Sequence, residues 1–152
     1  MLPLLETEMF SSVASTISDA AIAIKSNKNT LMLLAAPSIA GVLSIAPIEA
    51  AMLDSGLPYR RRFRMAEPSN GSWVHIMGPS MEAGPNFISD PPRLTISGRI
   101  VEGLQGSSGD FRRGPLTTVA QAHALAQMIS PSGTRVKRLR PWMISGNWMH
   151  SA

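Results

Sequence analysis

Apolar positions fall at helical spacing early in the chain and in short alternating runs later. Over Ser11–Ile24, Val13, Ile17, Ala20, Ala21 and Ile24 follow the i, i+4, i+7, i+8, i+11 rhythm of one helical face. Ser11 or Ser12 is placed to cap that helix by accepting a hydrogen bond from a free N–H of its first turn. The polar break Lys25–Asn29 ends it. Thr30–Ile48 follows without a single charged residue. As one helix at 1.5 Å per residue it would reach about 28 Å, close to the hydrocarbon thickness of a bilayer. Pro37 and Pro47 oppose a continuous helix, because each removes a backbone donor. The pattern therefore predicts two short core helices, Thr30–Ala36 and Pro47–Leu53, with a membrane span or an interfacial segment over residues 30–48 as the alternatives.

Asp54-Ser55-Gly56-Leu57-Pro58 is a cluster of helix and strand breakers. It divides the chain into an expected helical, apolar N-terminal region or extension, 1–58, and a basic α+β domain, 59–152. In the second part Trp73–Met77 and Leu94–Val101 read as strands, with Asn70-Gly71 a tight turn before the first and Gly98 a bulge or close approach in the second. Gly78–Pro92, rich in proline and glycine, reads as an interaction loop or arm, and Gln105–Gly114 as a flexible connection. Pro115 is placed to open a helix whose stripe is Leu116, Val119, Ala122, Ala126 and Ile129, closed by Pro131-Ser132-Gly133. Thr134–Arg140 alternates basic and apolar residues as a half-exposed strand does. The expected fold is α+β: an N-terminal helical region, then a small antiparallel sheet with one packed helix and long Pro/Gly-rich loops.

Composition narrows the chemistry. The 152 residues are 44% hydrophobic but only 5% aromatic, so the core rests on aliphatic residues and on ten methionines, which suit adaptable contacts. There is no cysteine, which excludes disulfides, thiolate metal sites and thiol nucleophiles within the chain. His75, His123 and His150 are far apart and match no metal-binding spacing. No nucleophile elbow, dinucleotide or phosphate-loop motif is present. The expectation is a non-enzyme without metal or cofactor. The first residues, MLPLLETEMF, lack a cationic start and carry Glu6 and Glu8 where a signal would be apolar, so no secretory signal is expected there.

Charge changes the picture most. Residues 1–58 hold two cations and five acids, a net of −3, and residues 59–152 hold twelve cations and five acids, a net of +7. Arginine outnumbers lysine eleven to three. Arg60, Arg61, Arg62 and Arg64 lie beside Tyr59 and Phe63, and Arg135, Lys137, Arg138 and Arg140 precede Trp142. Arg112 and Arg113 follow Phe111 and are candidates to join them. Clustered cations neutralise phosphate, and adjacent aromatics stack on bases. Positive charge on a strand edge also blocks unwanted pairing, which is the plain structural explanation. The apolar tail supplies Trp142, Met143, Trp148 and Met149 as expected interface anchors.

These features predict a structural subunit of a larger assembly, such as a small capsid-, matrix- or virion-associated protein. It would contact copies of itself or other subunits and turn a basic face toward nucleic acid or an anionic membrane. The alternatives are an accessory subunit of a membrane complex anchored through residues 30–48, and a sequence-independent RNA- or DNA-binding protein.

Overall fold

The computed structural model describes residues 4–64, 70–78, 84–105 and 111–151, with the side chains of 100–115 and 143–151 outside the description. After two 3-10 turns, Leu4–Glu6 and Glu8–Phe10, the elements are α1 (Ala14–Ser26), β1 (Leu31–Ala35), α2 (Ile39–Asp54), β2 (Tyr59–Phe63), β3 (Trp73–Ile76), β4 (Asn86–Ser89), β5 (Pro92–Ile96), β6 (Arg99–Gln105), β7 (Phe111–Leu116), α3 (Thr118–Ile129) and α4 (Thr134–Ser151). Five strands form one sheet in the order β2-β1-β3-β5-β4, and β6 and β7 form a separate hairpin. β1 pairs parallel with β2 and β3, β3 pairs parallel with β5, and only the edge strand β4 is antiparallel.

The fold is α+β, but the sheet is mixed and mostly parallel where an antiparallel one was expected. The first strand follows α1 directly, so the order is not helices and then sheet. β1, which precedes the breaker cluster at 54–58, hydrogen-bonds β2 and β3, which follow it. The chain on either side of Pro58 thus shares one sheet and one core.

The uncharged run resolves into a buried strand and a long helix. Leu31, Leu33, Leu34 and Ala35 of β1 are buried. An apolar run of this length fits a central parallel strand, which is why its periodicity resembles that of a core helix. Ser38 caps α2, its Oγ accepting the Gly41 N–H at 3.0 Å. α2 runs through Pro47, giving up one backbone bond in its middle while keeping the turns on either side. Among the described residues no helix is long and apolar enough to cross a membrane.

Other expectations shift for local reasons. α1 starts at Ala14, with Val13 at its cap position and no side-chain cap bond. Part of the expected Gly78–Pro92 loop is β4, which forms a hairpin with β5. The expected strand Leu94–Val101 is divided at Ser97-Gly98 between β5 and β6, and Phe111–Gly114 of the expected connection Gln105–Gly114 belongs to β7, paired with β6. Pro115 lies in β7, and α3 is opened by Thr117, whose Oγ1 accepts the Ala120 N–H at 3.2 Å. Thr134–Arg140 is helical, not extended. The reason lies eighty residues away in sequence: the Asp54 carboxylate accepts the backbone N–H of Arg135 at 3.1 Å and of Val136 at 3.3 Å, capping α4 from the end of α2.

Helices α1, α2 and α3 all lie on one face of the sheet. The strand residues in their common core are Leu31, Leu33, Ala35, Val74, Ile76, Leu94 and Ile96, joined at its margin by Tyr59, Phe63 and Phe87. These share one phase of the strand alternation. α4 packs outside, against α2 and α3.

Gly41 marks a close approach of α2 to the end of β1. A Cβ there would collide with the Ala36 carbonyl oxygen and meet the Ala35 Cβ at 3.3 Å. Alanine is the better helix former by about 1 kcal/mol, but overpacking costs about 1–3 kcal/mol. Gly41→Ala is therefore expected to lower stability, read as a lower urea midpoint with an unchanged m-value.

Candidate functional site

Two surfaces stand out, and they lie on different sides of the molecule. The first is the sheet face opposite the helices. The strand register places ten side chains on it in two cross-strand rows. One row is Arg60, Met32, Trp73, Arg93 and Ile88, and the other is Arg62, Leu34, His75, Thr95 and Asn86. None belongs to the helix-side core. No acid is among the ten. Arg60 and Arg62 are exposed on the edge strand, and among the described residues neither has an ion-pair partner. Leu34 is shielded at the centre, with Met32, Trp73, His75, Arg93 and Thr95 half-buried around it.

The centre of this face is held in place. Arg93 Nε donates to the Gly71 carbonyl at 2.9 Å, and its guanidinium lies 5.9 Å from the Trp73 ring centre. Trp73 and His75 meet edge to face at 6.2 Å. Gly71 holds a φ of +103°, which only glycine adopts without strain, so the chain bends at Asn70-Gly71, where a tight turn was expected, and presents the carbonyl that Arg93 grips.

The second surface is the outer side of α2. Ile39, Val42, Leu43, Ala46 and Leu53 recur at helical spacing along it and, with the buried Ala50 beneath, line adjoining shallow depressions that together form a groove bordered by Phe63 of β2 and by Leu139 and Trp142 of α4. Ile39 is 63% exposed, Val42 49%, Leu53 53% and Trp142 54%. A helix apolar on all sides is normally enclosed. In this molecule one side packs on the sheet and the other is open. At the groove rim Glu49 pairs with Arg61 at 2.7 Å and Asp54 with Arg135 at 2.7 Å, which leaves Arg138 as the cation there without an ion-pair partner among the described residues.

The two arginine clusters of the sequence are both divided by the fold. Strand alternation sends Arg61 to the helix side, where it lies 5.8 Å from the Phe63 ring and pairs with Glu49, away from Arg60 and Arg62. Tyr59 also donates its hydroxyl to Glu49 at 2.8 Å; burial and then that carboxylate push the phenol pKa up. Arg64 is exposed beyond the strand, its backbone N–H donating to Ala35 at 2.8 Å. On α4, Arg135 and Arg138 border the α2 groove, whereas Lys137 and Arg140 line a small cavity with Leu4, His123, Gln127, Pro131 and Val136. Arg112 and Arg113 lie on β7, and Met143, Trp148 and Met149 on α4, with side chains outside the described residues. Of the expected anchors, Trp142 borders the groove.

Arg93, Trp73 and His75 do not stand out in the sequence as site residues. Trp73-Val74-His75 and Arg93-Leu94-Thr95 alternate visibly. What the alternation lacks is the strand order that sets them beside Arg60 and Arg62.

Among the described residues no three His, Asp or Glu side chains converge on a point where a metal would sit. Asp54 ionises below the usual carboxylate range: burial opposes this, but the hydrogen bond from Arg135, the bond from the Val136 amide and the Arg135 charge outweigh it. His123 is 3% exposed and its Nε2 has no hydrogen-bond partner among the described residues. Burial first, and the Arg140 charge second, lower its pKa from 6.5 to about 4. Comparison with protein-family models, with curated proteins and with solved structures gave no match.

The His123 shift fixes a pH dependence. Between pH 6.5 and about 4 the unfolded chain binds a proton that the folded chain does not. Stability is therefore complete above pH 6.5 and falls by about 3 kcal/mol as the pH drops to 4, at 1.36 kcal/mol per unit. His123→Leu should flatten that slope in urea titrations run across the window. Parallel slopes for the two proteins would contradict it. The Asp54 contribution is lost only at lower pH, below 3.8, as the pH falls through its depressed pKa.

Proposed function

We propose that this chain is a non-enzymatic subunit of a larger assembly, joined to copies of itself along α2 and turning its cationic sheet face toward another component. The observation that carries this reading is the apolar outer stripe of α2, with Ile39, Val42 and Leu53 exposed and Leu43 and Ala46 half-buried between them. Singly exposed apolar residues are ordinary on a protein surface, but a continuous stripe along a whole helix marks a contact.

A second copy is the fitting occupant. Glu49 and Asp54 already neutralise Arg61 and Arg135 at the rim, so Arg138 is the one cation described there that a like surface must accommodate. A two-fold contact needs such self-complementarity, because each residue meets the same patch on its partner. Trp142 at the edge of the groove supplies the large aromatic surface that interface centres favour. The basic face is left free by this arrangement, since it belongs to the opposite side of the sheet.

The test is sedimentation velocity with Val42→Glu. The parent protein is expected to associate reversibly in buffer without detergent. The variant should associate at least about a hundredfold more weakly, because an uncompensated buried charge costs about 3–5 kcal/mol. Its circular dichroism should not change, because Val42 faces outward. A parent protein that stays monomeric at its highest attainable concentration, or a variant that associates equally well, would defeat the reading.

A further inference from the structure

We infer that the face of the five-stranded sheet opposite α1, α2 and α3 is a platform for single-stranded nucleic acid, on which Arg60 and Arg62 contact phosphates and Trp73 and His75 stack against bases. This deepens the assembly reading by naming the component that the cationic face meets.

Three observations support it. The ten side chains of the face include three arginines and no acid, so its charge complements a polyanion. The cations and rings are arranged and not merely mixed: Arg60 and Arg62 stand on the edge strand, the Trp73–His75 pair occupies the centre, and Arg93 closes the far side over Trp73. Neighbouring strands lie about 4.8 Å apart, so the arginine rows on β2 and β5 bracket the rings across about 14 Å. Finally, the ring pair is preorganised by the Arg93–Gly71 bond, which lowers the ordering cost of binding.

A single strand uses all of these features. Its bases have free faces for stacking, and its phosphates are close enough to the bases to meet the flanking arginines. A duplex hides its base faces and leaves Trp73 nothing to stack on. An anionic bilayer rewards the arginines but has no use for a half-buried ring pair. The recognition is expected to be indifferent to sequence, because stacking and phosphate contacts read no base edge.

The experiment measures fluorescence anisotropy of a short labelled oligouridylate and of its DNA counterpart, with a duplex and phosphatidylserine vesicles as comparisons. Binding should weaken with salt. The double variant Arg60→Ala/Arg62→Ala should reduce the slope of log K against log salt by about 1.4, since each phosphate contact on a single strand contributes about 0.7. Trp73→Ala should weaken binding about tenfold or more, and Trp73→Phe should keep most of it. Arg138→Ala, on the groove side, should change nothing. In a Trp142→Phe/Trp148→Phe background, quenching of the remaining Trp73 emission reports stacking without altering the platform.

Absent or salt-independent binding, an unchanged slope in the double variant, equal affinity for duplex, binding to vesicles alone, or unquenched Trp73 emission would each overturn the inference. The two proposals fail separately. Arg60→Ala/Arg62→Ala should leave association along α2 intact, and Val42→Glu should leave nucleic-acid binding intact.

Discussion

A parallel sheet needs cover on its apolar side chains, and in this chain all three packed helices cover the same side. Parallel strands are normally enclosed on both faces, because the helices that connect them fall on both. In this fold α1, α2 and α3 share one core with Leu31, Leu33, Ala35, Val74, Ile76, Leu94 and Ile96. The other phase of the same strands carries Arg60, Arg62 and Arg93 together with Trp73 and His75. A polar and cationic phase tolerates water where an aliphatic one would not, so the one-sided architecture and the charge of β2 are two aspects of one arrangement.

The helix layer has a related asymmetry. α2 packs tightly on β1 through Gly41 and joins α3 through buried small residues, including the Ser44–Thr118 hydroxyl contact at 3.2 Å. Its remaining side stays apolar from Ile39 to Leu53, and among the described residues α4 covers only part of it, through Leu139 and Trp142. The Asp54 carboxylate fixes where α4 begins by binding its first amides and Arg135. Gly133 makes room for that carboxylate, since a Cβ there would collide with it. The width of the groove is thus set by one long-range cap. On the groove side Arg61 and Arg135 are paired with acids, whereas among the described residues Arg60 and Arg62 on the sheet face are not.

The sequence revealed unequal parts of this. The run 94–101 reads as one strand, whereas it holds the end of β5 and the start of β6, parted at Ser97-Gly98. Helices α1 and α3 and strand β3 are legible, because their apolar periodicity is local. β1 is not, since a short fully apolar run fits a buried strand and a buried helix equally well. α4 is not, because its cap comes from Asp54 and no local signal replaces it. The arginines are visible as clusters, but adjacency in sequence is the wrong measure on a strand. Arg60, Arg61 and Arg62 alternate between two faces, and the middle one is engaged by Glu49. Arg93 and Trp73 become neighbours of Arg60 only once β1 is known to lie between β2 and β3. Parallel order depends on contacts distant in sequence, and no local pattern encodes it.

The absence of cysteine gives a direct probe of the one-sided sheet. A single cysteine introduced by Thr95→Cys and another introduced by Val74→Cys report the two faces of adjoining strands. Native-state thiol labelling should modify the first without unfolding, slowed only by its half-burial, and the second only as fast as the protein unfolds. Equal protection of both positions would mean that the sheet is enclosed on both sides, and it would contradict an open cationic face.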